Sequence, residues 1–183
     1  MSVLTVRSVL YIVALSMAVA GCTGVVEAPD EGASSTAVAV CSSNVFWKDL
    51  DKGSDLMRPG GKCNACHSLN IKAPALAVAG TVYPTAHEPD ECNGVVGVLD
   101  AKGIPETSVV ITDHTGRTLP AIPVNSVGNF QRTEAVIAPF NVKVVSKGKE
   151  NRMVMQAPHG DCNACHTQSG AEGAPGRILA LQP

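Results

Sequence analysis

The sequence predicts a mainly β protein, a small antiparallel β-sandwich flanked by short helical or loop segments, and three observations lead to this prediction. Short apolar runs follow one another through the middle of the 183-residue chain, separated by turns that contain glycine. Apolar and polar residues alternate at the start of the run Phe140–Val145, as expected for a strand with one buried face. Helical signals are confined to short stretches around two Cys-x-x-Cys-His sequences.

The expected strands lie close together along the middle of the chain. They are residues 77–83, 95–99, 108–112, 117–124, 140–145 and 152–155, with turns at 100–103, 113–116 and 146–148. Together they define a predicted sandwich over residues 78–156, between a first flanking segment at 45–77 and a second at 157–183.

The N-terminus has its features in the order found in an export signal. Arg7 supplies a positive charge, Val9–Ala20 is apolar but too short to span a bilayer comfortably, and small residues follow. We therefore expect residues 1–21 to be a signal peptide. The alternative is a buried N-terminal helix that ends in a cysteine by chance.

Cys22 ends the sequence Val19-Ala20-Gly21-Cys22, which resembles the lipobox of bacterial lipoproteins. The resemblance implies that Cys22 becomes a lipidated first residue, held at a membrane surface without spanning it. Residues 22–44, rich in small and acidic residues, are expected to form a flexible tether. Thr23 stands where many inner-membrane lipoproteins of enterobacteria have Asp. This favours the bacterial outer membrane, on its periplasmic or cell-surface face.

Two sequences match the Cys-x-x-Cys-His motif of covalent haem attachment: Cys63-Asn-Ala-Cys66-His67 and Cys162-Asn-Ala-Cys165-His166. The two thiols add to the two vinyl groups on one porphyrin edge, and the next residue, the histidine, then lies under the iron. We expect two covalent haem c groups, with thioethers at the four motif cysteines and proximal iron ligands at His67 and His166. The two flanking segments are therefore predicted to bind haem.

Other chemistries fit the two motifs less well. A thioredoxin-like redox site needs no histidine after its cysteines, and a zinc finger keeps its ligand pairs much closer in sequence. Aromatic residues make up only 3% of the chain, which is low for a packed core. Two haems would add large apolar surfaces of their own to such an interior.

The sixth iron ligand decides whether a haem transfers electrons or reacts with small molecules. His87, in a proline-bounded loop, and His159, three residues before Cys162, are the expected distal ligands. His114 is a reserve candidate, since it is expected to occupy a solvated hairpin turn. Met153 and Met155 lie in a strand-like run, where core packing is the default expectation.

Two of the seven cysteines have no role in lipidation or haem attachment. Cys41 and Cys92 form one pair, and in an oxidising compartment they are expected to make a disulfide. The alternative is two free thiols.

The middle of the chain resembles the carboxypeptidase regulatory-like, transthyretin-like family of small β-sandwiches. The resemblance rests on Val78–Val82, Ser108–Gly116, Val124–Phe130 and Asn141–Val145. The chain departs from the family pattern at Phe140, where Tyr is usual, at Val124 or Asn125, where Thr is usual, and by an insertion at 84–94. The whole chain resembles bacterial exported di-haem c-type cytochromes with such a sandwich between haem-binding ends. This implies that the sandwich is a scaffold.

These features predict an electron carrier and not an enzyme, with other redox proteins or cytochromes as partners. The formal net charge of −2, without a basic patch, argues against a nucleic-acid partner. Two alternatives remain open: an anchored binding or self-assembling module with secondary haems, and a haem enzyme that acts on peroxide or nitrogen oxides.

Overall fold

The computed structural model describes residues 40–48, 53–69, 73–95, 97, 100–103 and 105–181, all within one unit that spans Val38–Pro183. The predicted signal peptide, the lipidated Cys22 and most of the predicted tether lie outside these residues. Within the described ranges, no helix has the length and apolar character needed to cross a membrane.

The described residues form seven strands and two very short helices. In chain order they are α1 (Cys63–His67), β1 (Val78–Tyr83), β2 (Thr107–Thr112), β3 (Ile122–Pro123), β4 (Asn129–Arg132), β5 (Asn141–Ser146), β6 (Lys149–Arg152), α2 (Cys162–Cys165) and β7 (Ile178–Leu179).

The strands form two sheets. A four-stranded sheet has the order β3-β2-β5-β6 and is antiparallel throughout. A three-stranded sheet has the order β4-β1-β7, in which β4 pairs antiparallel and β7 pairs parallel with β1. The prediction of a mainly β protein with a small sandwich is confirmed, with one parallel pair beside the antiparallel ones.

The burial of the central strands explains where the core lies. In β2 buried residues alternate with half-buried ones, so Thr107, Val109 and Ile111 face inward. Every residue of β1 is buried, because this strand is the middle of its sheet and both short helices also contact it. The core therefore lies between the two sheets, and β1 connects it to the two Cys-x-x-Cys-His motifs.

The final hairpin begins earlier than the sequence predicted. Lys147 and Gly148 both have positive φ, 49° and 76°, which is the backbone of a two-residue hairpin turn. Because this turn is so tight, the return strand β6 starts at Lys149, and the expected strand at 152–155 is wrong in its position.

The strand predicted at 117–124 is wrong for most of its length, whereas residues 96, 98 and 99 of the strand predicted at 95–99 lie outside the described ranges. In the expected strand at 117–124, only Ile122–Pro123 forms a strand, since Pro120 and Pro123 have no N–H to donate to a ladder. In the expected strand at 95–99, the described residues Val95 and Gly97 are irregular, although their N–H groups donate to the carbonyls of Val82 and Asn125.

The sequence did not predict a strand at β4. Its position depends on the turn at residues 125–128, whose geometry an alternation of apolar and polar residues does not indicate. The Asn125 side-chain oxygen accepts hydrogen bonds from the N–H groups of Val127 and Asn129, at 3.1 and 3.0 Å. Gly128 follows with φ of 86°, a backbone conformation that favours glycine. The turn directs Phe130 into the core, where it is 2% exposed.

The predicted disulfide is confirmed: Cys41 and Cys92 are bonded across a sequence separation of 51. Both cysteines are buried, and they pack with Tyr83 in a small cluster apart from the main core. Glu88, also buried, accepts hydrogen bonds from the Ser42 N–H and the Thr85 hydroxyl. The disulfide thus joins the chain around Cys41 to the loop that follows β1.

Removing the disulfide should destabilise the domain without changing its fold. For Cys41→Ala/Cys92→Ala we expect the free energy of unfolding to fall by about 4 kcal/mol, because the unfolded chain regains the entropy of an open loop. Urea unfolding monitored by Trp47 fluorescence measures the change, and the reduced wild-type protein should show the same loss. A loss below about 1 kcal/mol in both would contradict this expectation.

Candidate cofactor-attachment site

The two Cys-x-x-Cys-His motifs lie side by side on β1, although they are far apart in sequence. Asp161, the residue before α2, pairs in parallel with Ala79 of β1. Its carboxylate accepts hydrogen bonds from the N–H groups of Cys63 and Asn64, at 3.2 and 2.9 Å. A side chain from the second motif's flank therefore satisfies the free N–H groups of the first motif's helix.

Asn163, inside the second motif, makes the closest link between the two motifs. Only 1% of this residue is exposed. Its Oδ1 accepts from the Thr81 N–H at 3.0 Å, and its Nδ2 donates to the Gly61 carbonyl at 2.9 Å and to the Thr81 hydroxyl at 3.1 Å. Nδ2 also lies 3.9 Å from the Cys63 sulfur. Within the described residues, the hydrogen bonds of its counterpart Asn64 run through the backbone.

The two motif histidines are oriented in the same way. His67 Nδ1 lies 2.8 Å from the carbonyl oxygen of Pro74, and His166 Nδ1 lies 2.8 Å from that of Gly176. A backbone carbonyl at Nδ1 fixes the ring and its tautomer, and leaves Nε2 able to ligate a metal. Burial lowers the pKa of His166, which keeps its imidazole in the neutral form that binds metals.

A cavity of about 480 Å³ lies next to the second motif. Cys162, Cys165 and His166 line one part of it, and its walls are mainly apolar, including Val109, Phe130, Val142, Val144, Ile178 and Leu179. Its volume falls in the range of organic-ligand sites. Two thiols and a histidine with an available Nε2 therefore border an apolar space, and this donor set fits a covalently bound haem.

The first motif has different surroundings. No residue of α1 is buried, and Leu69, two residues after His67, is 85% exposed. Residues 70–72 lie outside the described ranges. Among the described residues, the first motif therefore lies at the surface, whereas the second borders an apolar cavity.

The expected distal ligands occupy three different places. His159 lines the cavity with Met153 and Met155, and its Nε2 lies 3.8 Å from the Cys165 sulfur. His87 is exposed and does not line this cavity, but its Nδ1 lies 2.8 Å from the Gln168 carbonyl oxygen, as in the motif histidines. The assignment of distal ligands stays a prediction.

His114 lies in the turn that follows β2, as the sequence predicted. Asp113 organises this turn by accepting hydrogen bonds from the N–H groups of Thr115 and Arg117. His114 itself is exposed there, which agrees with a solvated turn residue.

None of the four motif cysteines forms a disulfide within the described residues. Cys63 and Cys162 are half-buried residues, and desolvation of their sulfurs, with smaller contributions from neighbouring negative charges, raises the pKa of each thiol to about 12, so an unmodified thiol at either position is protonated at neutral pH. A thioredoxin-like site instead has a cysteine of lowered pKa. The four sulfurs also do not converge as in a four-cysteine zinc site. Among the described residues, the single convergent group of three or more potential metal ligands is His159, Cys165 and Glu172.

Arg177 is a buried residue that the sequence analysis did not single out. It is 3% exposed and lies over the Tyr83 ring at 5.1 Å from its centroid. Its guanidinium donates to the carboxylate of Asp90 and to three carbonyl oxygens, those of Glu88, Gly60 and His166. It therefore joins the backbone before the first motif to the backbone of the second. Since these partners are scattered along the chain, no local pattern indicates this role.

Replacing Arg177 should destabilise the arrangement of the two motifs. We expect Arg177→Met to lower the free energy of unfolding by about 3 kcal/mol, because buried carbonyl groups lose their donor. Arg58→Met is the matched control: the Arg58 side chain is 59% exposed and pairs with Glu91 at the surface, so its loss should cost less than about 1 kcal/mol. Urea unfolding of both variants compares them, and equal losses would contradict this account.

Comparisons with known proteins identify no relative of this chain, so the geometry of the two motifs is the basis for a proposed function. No protein-family model, no curated protein and no solved structure matches this chain. The resemblances to known families therefore remain expectations, and the proposed function rests on the geometry of the site.

Proposed function

We propose that this protein is an electron carrier with two covalently attached haem c groups. Cys63, Cys66, Cys162 and Cys165 would hold them by thioether bonds, with His67 and His166 as proximal iron ligands. The observation that carries the proposal is shared by both motifs: the histidine after each thiol pair has Nδ1 held at 2.8 Å from a backbone carbonyl, which leaves Nε2 for a metal.

A bound haem supplies reversible one-electron chemistry at its iron. The chain's own residues would attach the haem, orient its ligand and surround it with apolar side chains. The Gly176 carbonyl oxygen orients His166, and the mainly apolar walls of the cavity would lower the polarity around the second site. Burial of this kind favours the less charged state of a redox centre, so we expect the second site to have the higher midpoint potential.

The distal positions are proposed for His159 and His87. His159 borders the cavity beside the second motif, and His87 has the same ring-fixing contact at Nδ1 as the two proximal histidines. Two filled axial positions favour electron transfer over reaction with small molecules. This distinguishes the proposal from the haem-enzyme alternative.

Localisation and partners belong to the same proposal. Lipidation at Cys22 would anchor the protein to the outer membrane, where residues 22–44 would act as a tether. The partners would then be other redox proteins or cytochromes. The sandwich would act as the scaffold that holds both motifs.

A haem count on matured protein tests the proposal. Expressed with a c-type maturation system, the wild type should carry two haems by pyridine haemochrome assay and intact mass. Cys63→Ala/Cys66→Ala and Cys162→Ala/Cys165→Ala should each lose one of them, because each pair holds its own group. His114→Ala, in an exposed turn, is the control and should keep both. A colourless wild-type protein without added porphyrin mass would refute the proposal.

Carbon monoxide tests the filled axial positions. The reduced wild type should show little spectral change with carbon monoxide, since a ligated iron has no free position. His159→Ala and His87→Ala should each gain a carbon monoxide shift at one haem, whereas His114→Ala should not. A large shift in the wild type would favour the haem-enzyme alternative instead.

A second candidate function is supported by the cluster at the cavity rim. The ligand atoms of His159, Cys165 and Glu172 lie within 4.8 Å of one another, and zinc binds all three types. In this alternative the thiol of Cys165 stays unmodified and the protein binds a divalent cation. Metal analysis of the secreted protein, with its intact mass, separates the two: stoichiometric zinc without added porphyrin mass would favour the cation site.

A further inference from the structure

The two motifs share the filler Asn-Ala, but the two asparagines have different environments. Asn163 is buried and bonds to Thr81 of β1 and to Gly61 before the first motif. Asn64 is half-buried and, within the described residues, is held through its backbone. The same residue type at the same motif position therefore has a linking role in only one of the two motifs.

The residues directly before the two motifs, Asp161 and Lys62, also differ in whether they link one motif to the other. Asp161 accepts hydrogen bonds from the N–H groups of Cys63 and Asn64. Its counterpart Lys62 is exposed and is a cation, which cannot accept such bonds. Both connections therefore run from the second motif to the first.

Both attachment helices lie close to adjacent residues of the strand β1. A side chain added at Gly80 would place its Cβ 3.0 Å from Cys162 Cβ. The next residue, Thr81, bonds to Asn163 and accepts from the Gly60 N–H at 3.0 Å. Adjacent residues of one strand therefore hold both motifs, and the Asn163 amide lies 3.9 Å from the Cys63 sulfur.

We infer that Asp161 and Asn163 are positioning residues that hold the two attachment helices together, so that the two haems form one interacting redox pair. The inference rests on the proposed function, since it needs both haems. A thioether joins the edge of a porphyrin to its cysteine, so Cys63 and Cys162 would bring two porphyrin edges to the same residues of β1. Two irons held in this way would respond to each other's charge, as interacting sites do, and to each other's spin.

Electron paramagnetic resonance of the fully oxidised protein measures the pairing directly. In the wild type, spin coupling should broaden the ferric signals, and their uncoupled intensity should fall short of the haem count. Asn163→Ala should restore much of that intensity, because the linking amide is lost. Asn64→Ala is the matched control and should leave the wild-type spectrum unchanged.

Three measurements keep the test decisive. Each variant must carry both haems and must melt well above the temperature at which it is prepared, and where Asn163→Ala fails to mature, Asp161→Asn replaces it as the milder change. Amide hydrogen exchange at Cys63 and Asn64 should be faster in Asp161→Asn, because a carboxylate acceptor is lost. Faster exchange together with recovered spin intensity would support the positioning role.

The outcomes separate this inference from the proposed function. Wild-type protein with two haems and full uncoupled intensity would overturn the inference alone. So would an Asn163→Ala variant that keeps both haems and the wild-type spectrum. A wild-type protein without haem would overturn the proposed function and this inference with it.

Discussion

The arrangement of the site depends on the hydrogen bonds between the Asn163 amide and Thr81. One amide side chain satisfies a backbone N–H of β1 and the Thr81 hydroxyl, and its second N–H satisfies the Gly61 carbonyl. Because the residue is buried, water cannot replace these bonds, and an unpaired buried group would cost about 1–3 kcal/mol. The sandwich therefore does more than separate the two motifs in sequence: its most buried strand is the surface on which they meet.

The two sites on this strand differ in their surroundings, and the difference has a chemical meaning. The second motif borders an apolar cavity and has a histidine whose pKa is lowered by burial. The first motif lies on a helix without buried residues. With the proposed haems bound, identical motifs in unequal environments would form two redox centres of different potential, which would give electron transfer a direction. A donor or acceptor would reach the exposed site more easily than the one bordered by apolar walls.

Local patterns in the sequence were enough to predict part of this structure. The strands β1, β2 and β5, the glycine turns and the pairing of Cys41 with Cys92 follow from alternation, turn chemistry and the count of cysteines. The motif cysteines and histidines were equally visible. What the sequence did not indicate depends on contacts between distant residues: Asp161 reaches Cys63 across 98 positions, and Arg177 reaches Gly60 across 117. No periodicity within a segment encodes such pairs, and the start of β6 depended on a two-residue turn.

With the lipid anchor proposed at Cys22, the disulfide at Cys41 would also limit how far the domain can travel. It joins the chain at Cys41 to the body of the protein, so only the residues between Cys22 and Cys41 would remain to span the distance from the anchor. Those 19 steps along the chain cover at most about 65 Å when fully extended. A carrier anchored in this way would search a shell of that radius above its membrane. Any electron donor or acceptor would have to present its own redox centre within that shell.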